Sequence, residues 1–271
     1  MNQIKHSIQI IRIFFFAAIV TLAGGCATTG INSGQVNLIS TPEEVQMGKE
    51  FSVEVESQFE LYNEVEVAGY VQRVGNRLVR VCDRKDIEYH FSVIKKNELN
   101  AFALPGGYIY IYTGLLSELD DEAQLAGVLA HEIGHVTSRH ATERLTAMYG
   151  AQILSSLIFG ENPGLWGQLV SNIFSTSGFL AYSRANEFEA DRLGTNYSSS
   201  AGYDPDGMAE LLGKLRSMEQ REPGKLEELL STHPPTSDRI GKVNSIVRSF
   251  GSASGTERAA SKYQEMKKHL P

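Results

Sequence analysis

Apolar residues recur at helical spacing in several parts of the 271-residue chain. A period of about 3.6 residues is typical of helices with one buried face. At Thr41, a capping residue is followed by Pro42 and by two acidic residues, which suits the start of a helix. The pattern predicts helices that begin at residue 41 and after residue 236, and helices over approximately residues 67–82, 120–150, 182–198 and 208–220.

From Glu88 the apolar period shortens to two, which is the spacing of β-strands. Strands are predicted over residues 89–95, 100–104 and 108–112, with Pro105-Gly106-Gly107 as a turn. In the third strand tyrosines alternate with isoleucines, so each type should occupy one face. We therefore expect a mainly helical α+β domain with one small antiparallel sheet packed on the helix that begins near Asp120.

That helix carries the residues with the clearest chemistry. His131 and His135 are four residues apart and therefore share a helix face, so both imidazoles can reach one metal ion. Glu132 is adjacent to this face, which suits it to handle protons on a metal-bound water rather than to bind the metal. A solvated helix face with two histidines is the alternative. His140, nine residues after His131, should point to the opposite side and is interpreted as a surface or structural histidine.

A catalytic zinc site with two histidines needs a third protein ligand. Glu187 and Asp191 share a face of the helix predicted over residues 182–198, whereas Glu189 is turned away from both. Glu187 could complete a His-His-Glu site, and Asp191 could accept the second N–H of a ligand histidine. Taken alone, the segment would be interpreted as an exposed acidic helix whose carboxylates form ion pairs with nearby arginines.

Four segments carry a family resemblance: residues 100–107 (NAFALPGG), 125–135 (LAGVLAHEIGH), 187–191 (EFEAD) and 232–235 (THPP). In this order they resemble the HtpX-like and CAAX-prenyl-protease-like zinc metallopeptidases, over roughly residues 42–248, and most closely the periplasmic lipoprotein members. The resemblance implies one Zn²⁺ per chain, with His131, His135 and Glu187 as ligands. It also implies Glu132 as the catalytic carboxylate and Asp191 as an outer partner of the ligands.

Two further features concern the substrate. His233, held by Thr232 and two prolines, could hydrogen-bond an oxyanion, could bind the open zinc position and silence the enzyme, or could be a turn residue without chemistry. Arg239 is a weaker candidate for the same pocket. By the resemblance, the strand near Asn100, Ala101, Phe102 and Ala103 offers its edge to an extended peptide; alternatively these side chains are only core.

The expected function is metal-assisted hydrolysis of peptide bonds in unfolded or damaged envelope proteins. The substrate class rests on the resemblance. Binding at a strand edge recognises backbone groups more than side chains, which suits unfolded chains. The alternative is a lipid-anchored chaperone or assembly factor with a latent or structural zinc site. A zinc hydrolase that acts on a non-peptide bond is less favoured. The net charge of −7 argues against nucleic acid as a partner, and the oligomeric state stays open.

The N-terminal region predicts export and a membrane anchor. Residues 1–25 have basic residues followed by a short apolar run, as in a signal peptide. The box that ends at Cys26 resembles a lipoprotein cleavage site, with the thiol as fatty-acyl acceptor; an ordinary secretory signal is the alternative. Since Asp does not follow Cys26, the predicted location is the periplasmic face of the outer membrane, for a Gram-negative host.

The remaining segments complete the predicted organisation. Residues 26–41 comprise the lipidated cysteine and a flexible tether, 42–250 the metallopeptidase domain and 251–271 a polar, mobile tail. Residues 151–181 are apolar but interrupted, and they predict a flap of two short helices beside the cleft rather than a membrane span; a packing excursion without such a role is an equal alternative. Cys82 follows an apolar helix pattern and is interpreted as a buried small residue, not a nucleophile.

Overall fold

The computed structural model describes residues 31–32, 36–159, 181–219, 221–234, 237–251 and 255–271. The predicted signal peptide, the acylated Cys26 and most of the predicted flap lie outside these residues. None of the described helices combines the length and the apolar character that crossing a bilayer would require.

The described residues form three short strands and a larger set of helices. The strands are β1 (His90–Ile94), β2 (Ala101–Ala103) and β3 (Tyr108–Tyr112). The helices are α1 (Thr41–Gln58), α2 (Val65–Val79), α3 (Thr113–Glu118), α4 (Glu122–Thr137), α5 (His140–Phe159), α6 (Arg184–Ser200), α7 (Asp206–Glu219), α8 (Pro223–Thr232), α9 (Ser237–Phe250) and α10 (Ala260–Lys267). The predicted α+β class, mainly helical, is confirmed.

The sheet is mixed, so the prediction of a wholly antiparallel sheet was wrong in this respect. Its order is β1-β3-β2, with β2 antiparallel and β1 parallel to β3. The turn at Pro105–Gly107 reverses the chain between β2 and β3, and Gly106 and Gly107 adopt positive φ angles there. β1 pairs with the other edge of β3 and runs in the same direction as β3.

The sheet separates two apolar cores. Tyr110 and Tyr112 pack with Phe51 and other residues of α1 on one face. Ile109 and Ile111 pack on the opposite face in the larger core, which includes α2 and α4. The predicted segregation of tyrosines and isoleucines is confirmed, and the sheet holds α4 by its isoleucine face.

Two glycines set the distance between α4 and α6, the most closely associated pair of helices. A Cβ atom on Gly134 would lie 2.9 Å from the carbonyl oxygen of Ala190. A Cβ atom on Gly194 would lie 2.8 Å from the backbone nitrogen of His131. Because these distances are too short for any side chain, the helices touch backbone to backbone where α4 carries its histidines.

The single helix predicted over residues 120–150 is in fact two helices. Asp121 caps α4 by accepting a hydrogen bond from the backbone N–H of Gln124, and the helix ends before Arg139, which has a φ of 57°. The Arg139 side chain explains this break: it donates to the Glu44 carboxylate at 2.8 Å and to the carbonyl oxygen of Ile39 at 2.5 Å. The chain then restarts as α5 in a new direction.

The segment before α1 is docked where the structure describes it. The side-chain amide of Asn37 donates to Thr142, and the backbone N–H of Leu38 donates to Thr146, both on α5. The N-cap of α1 is Ser40, which forms a capping box with Glu43, rather than Thr41. The prediction of a flexible tether up to residue 41 is therefore wrong for residues 36–40.

The C-terminal segment is also packed, so the prediction of a mobile tail was wrong for residues 255–271. Tyr263 is fully buried, and its hydroxyl donates to the carbonyl oxygen of Leu116 at 2.7 Å. Arg258 forms ion pairs with Asp121 at 2.7 Å and Asp204 at 3.0 Å. These contacts hold the N-terminal end of α4.

The predicted burial of Cys82 is confirmed.

Candidate metal centre

Four metal-binding side chains from three parts of the chain converge beside the α4–α6 contact. α4 presents His131 and His135, α6 presents Glu187, and the turn after α8 presents His233. One ligand atom from each lies within 4.8 Å of every other. All four side chains are buried. The structure thus brings together the two histidines and the carboxylate that spacing singled out, and it adds His233.

The distances between the ligand atoms are compatible with a shared metal ion. The Nε2 atoms of His131 and His135 are 3.0 Å apart, and they lie 3.6 Å and 3.4 Å from the nearer carboxylate oxygens of Glu187. Tetrahedral zinc with bonds of about 2.0 Å to nitrogen separates neighbouring ligand atoms by about 3.3 Å. His233 approaches from the remaining side, with Nδ1 2.9 Å from Glu187 Oε1. The donor set is one that zinc accepts.

Asp191 and Arg239 support one side of the site. Asp191 Oδ1 lies 2.9 Å from Nδ1 of His131, so the carboxylate can hold that ring with Nε2 directed at the cluster. Arg239 donates from two nitrogens to Asp191, each at 2.7 Å, and its Nη1 lies 2.6 Å from Glu187 Oε2. A buried guanidinium therefore balances two buried carboxylates. The sequence had ranked Arg239 only as a weak candidate.

His140 is neither exposed nor remote from the site, so its interpretation as a surface histidine was wrong, whereas the structural alternative stays open. It is buried, and its Nδ1 lies 2.9 Å from Nδ1 of His135. The apolar pattern predicts one unbroken helix, whereas the break at Arg139 turns His140 back toward His135. Glu189, which faces away from Glu187 and Asp191, contacts His140 at 3.2 Å.

Glu132 occupies the position expected of a proton carrier. Its Oε1 is 3.8 Å from Nε2 of His233, and within the described residues neither its Oε2 nor that Nε2 has a hydrogen-bond partner. Unpaired buried polar atoms are costly unless a metal ion, water or substrate satisfies them. Both residues line a cavity that Ala101 and Arg239 also border.

Burial and neighbouring charges set the protonation of the cluster. Burial raises the pKa of Glu132, although His233 and His131 oppose this rise. Burial likewise disfavours the ionised form of Glu187, but His233 and His135 outweigh it and hold its pKa well below the ordinary value. Burial lowers the pKa of His135 well below the ordinary value, which favours the neutral, metal-binding imidazole.

The four residues predicted to bind substrate have different environments. Ala101 borders the cavity beside Glu132, and Ala103 borders a second, smaller cavity beside His135. Phe102 packs against Tyr110 in the core on the other face of the sheet. Asn100 donates a hydrogen bond to Glu228 on α8. β2 lies at the edge of the sheet, but all four residues are buried.

Sequence reasoning gave no role to Tyr182. Its ring stacks on His135 with a centroid distance of 4.0 Å and an angle of 20°. It thereby limits rotation of that imidazole from the side opposite the helix. Tyr182 lies immediately before the helix that carries Glu187, and that position is the only local signal that could have indicated it.

A known protein family matches most of this chain. The model described as Peptidase family M48 matches residues 66–247, which include Glu132 and all four members of the cluster. The chain belongs to peptidase family M48. The resemblance to zinc metallopeptidases is thereby confirmed, and membership of M48 implies a bound metal ion.

Curated relatives resemble the chain over part of their own length. The beta-barrel assembly-enhancing protease of Yersinia pestis is 30% identical over 211 residues, which cover 74% of this chain and 43% of that protein. The mitochondrial metalloendopeptidase OMA1 of Schizosaccharomyces pombe is 34% identical over 176 residues, 64% of this chain and 51% of that protein. This M48 chain therefore spans about half the length of these relatives, or less.

Proposed function

We propose that this chain is a zinc-dependent metalloendopeptidase that hydrolyses peptide bonds in unfolded or damaged proteins of the cell envelope. The observation that carries the proposal is the convergence of His131, His135 and Glu187 in one buried cluster with Glu132 beside it. A purely structural zinc site does not require a buried carboxylate such as Glu132, which has an unpaired oxygen at the edge of a cavity.

The chemistry divides between the metal and Glu132. Zinc, held by His131, His135 and Glu187, would supply a Lewis acid next to the cavity. Glu132 would accept the proton of the attacking water and deliver it to the leaving amine. The raised pKa of Glu132 suits this work, because a carboxyl group shuttles protons best when its pKa is near the working pH.

His233 closes the site in the resting protein. Its Nδ1 lies 2.9 Å from Glu187, and it belongs to the four-residue cluster, so it is placed to be a fourth ligand. A fourth protein ligand would occupy the position that water or substrate needs. We therefore favour the inhibitory role of His233 over a role in oxyanion stabilisation.

The cover over the site includes α8, the helix that ends at His233. Glu228 on α8 accepts hydrogen bonds from Asn100 at 3.0 Å and Tyr112 at 2.6 Å, and it pairs with Lys96 at 2.7 Å. The backbone N–H of Leu99 donates to the carbonyl oxygen of Lys225. Movement of α8 would free Asn100, directly before β2, where an extended peptide could add through its backbone.

The proposed substrate and location rest on the strand edge, on a relative's name and on the N-terminal sequence. Binding along a strand edge depends on backbone groups and so suits unfolded chains of varied sequence. The name of the Yersinia pestis relative, a beta-barrel assembly-enhancing protease, supports a role on bacterial β-barrel proteins. The predicted signal peptide and acylated Cys26 would place the enzyme on the periplasmic face of the outer membrane, in agreement with such a role.

Degradation of an unfolded model protein tests the proposal. The purified protein, Glu132→Gln and the control Glu219→Gln, which alters an exposed carboxylate, would be compared with zinc content measured on each. Zinc in all three and cleavage by all except Glu132→Gln is the expected result. Absence of zinc from the wild type would contradict the metal site. Zinc without cleavage, even after His233→Ala, would favour a chaperone or assembly factor.

A further inference from the structure

A second chain of polar side chains leads outward from the metal centre, on the side away from Asp191. It begins at Nδ1 of His135, continues through both ring nitrogens of His140 and ends at the Glu189 carboxylate. The His140 side chain is fully buried, and Glu189 is about one-sixth exposed. We propose that His140 and Glu189 are positioning residues that fix the ring of His135 for metal binding. This inference rests on the metal site of the proposed function.

The hydrogen-bonding capacities of the groups allow one consistent arrangement of protons. His135 must keep Nε2 unprotonated to bind a metal, so its neutral ring carries the proton on Nδ1. That N–H can donate across 2.9 Å to Nδ1 of His140. The neutral His140 ring then carries its proton on Nε2 and donates it to Glu189 Oε2 at 3.2 Å. An ionised carboxylate can only accept hydrogen bonds. Glu189 therefore sets the donor-to-acceptor direction of both hydrogen bonds.

With a metal ion bound, the reverse arrangement is unfavourable at both ends. If His140 donated from Nδ1 to His135, the proton of His135 would move to Nε2, between the ligand atoms of the cluster. The bare Nε2 of His140 would then face the lone pairs of Glu189. Glu189 thus selects the tautomer of His135 through His140, as carboxylates commonly do for ligand histidines.

The outer end of the chain is itself fixed. Glu189 Oε1 accepts a hydrogen bond from the backbone N–H of Asn32 at 3.0 Å and from Arg192 at 3.4 Å. The side-chain amide of Asn32 also donates to the carbonyl oxygen of Ser138, at the end of α4. Tyr182 stacks on the His135 ring. The His135 ring is therefore held by the hydrogen bond at its Nδ1 and by Tyr182 on one ring face.

Zinc affinity, measured by competition with a chelator, tests the inference without reference to catalysis. His140→Ala should weaken zinc binding about 10- to 100-fold, the usual effect of removing an outer partner of a ligand histidine. His140→Asn keeps an acceptor near the position of Nδ1 and should restore most of the affinity. His90→Ala removes an exposed histidine of β1 and is the matched control, which should bind zinc as the wild type does.

A spectroscopic measurement separates positioning from packing. Nitrogen-15 NMR of the imidazoles in the metal-free protein should give His135 as the Nδ1–H tautomer in the wild type. In Glu189→Leu, which leaves His140 in place, both tautomers should be populated and zinc affinity should fall. This variant also carries the test if His140→Ala fails to fold.

The outcomes distinguish the inference from the function on which it rests. Stoichiometric zinc in the wild type with equal affinity in His140→Ala and Glu189→Leu would overturn the inference and leave the metallopeptidase proposal intact. Wild-type protein that binds no zinc would overturn both. Lower thermal stability of the metal-free variants with unchanged zinc affinity would assign His140 to packing alone.

Discussion

The metal centre has two walls that are held in different ways. The α4–α6 wall depends on backbone contacts at Gly134 and Gly194 and on the buried Arg239 ion pairs. The opposite wall, α8 with His233, depends on hydrogen bonds and an ion pair of Glu228, whose side chain is 36% exposed. The first arrangement is buried, whereas the second is partly exposed to water. This difference fits the proposal of a preformed metal site under a removable cover.

Loss of a ligand from the rigid wall should have the largest effect. Glu187→Ala removes the proposed carboxylate ligand, and we expect it to weaken zinc binding by more than the roughly 100-fold upper limit for outer partners. Metal analysis after dialysis against a weak chelator measures this. Glu219→Gln should retain one zinc per chain. Retention of zinc by Glu187→Ala would show that the rigid wall does not supply the third ligand.

Removal of the buried cation should destabilise the rigid wall without removing a ligand. Arg239→Ala leaves Asp191 and Glu187 buried beside each other without their counter-charge. We expect a loss of about 3–5 kcal/mol in the free energy of unfolding of the metal-free protein. Urea unfolding measures it, with the exposed Arg248→Ala on the same helix as control. A loss no larger than that of the control would rule out a structural role for these ion pairs.

Separation of the two helices should disturb the site from a distance. Gly194→Ala would place a Cβ atom 2.8 Å from the nitrogen of His131, so α4 and α6 must move apart. We expect a destabilisation of about 1–3 kcal/mol and weaker zinc binding. The control Gly213→Ala in α7 has no atom within 4 Å of the new Cβ and should be neutral or stabilising. Similar behaviour of the two variants would contradict the spacing role.

Release of the removable wall should increase turnover. His233→Ala leaves three protein ligands, so zinc should be retained while cleavage of an unfolded substrate rises several-fold. His269→Ala, at an exposed histidine, should change neither quantity. A fall in kcat with unchanged zinc content would instead assign His233 to stabilisation of the oxyanion.

The smallest effect concerns the attachment of α8. Burial tends to raise the pKa of Glu228, but hydrogen bonds from Lys96 and Tyr112 outweigh it and hold the pKa below its ordinary value. The closed cover is therefore stabilised above the ordinary glutamate pKa, and this contribution is lost as the pH falls through the lowered pKa.

We expect Glu228→Gln to weaken the cover by about 1 kcal/mol and to remove this acid dependence. Hydrogen exchange of the α8 amides, measured against pH, would detect both changes. The exposed Glu227→Gln on the same helix should behave as wild type. Equal exchange in both variants would mean that Glu228 does not hold the cover.

The rigid wall was largely predictable from the sequence, because a spacing of four on a helix fixes a shared face whatever the tertiary structure. This holds for His131 and His135 and again for Glu187 and Asp191. His140 could not be predicted in the same way. Its direction depends on the helix break at Arg139, which is held by Glu44, some 95 positions earlier in the chain.

The parts that were wrong depend on contacts between distant segments. Arg239 reaches Asp191 only because α9 packs on α6. The C-terminal segment has few apolar residues and a polar composition, so nothing local indicated that Tyr263 would be buried. The sheet direction followed from the insertion of β3 between β1 and β2, which the strand pattern leaves open.

The docking of residues 255–266 has a consequence for the order of events during synthesis. Arg258 pairs with Asp121, the cap of α4, and Tyr263 bonds to Leu116, about 140 positions earlier in the chain. In the order of the chain, both partners follow every residue of the cluster. The N-terminal end of α4 is therefore secured only once Arg258 and Tyr263 are present, and we expect binding of zinc to be complete only then.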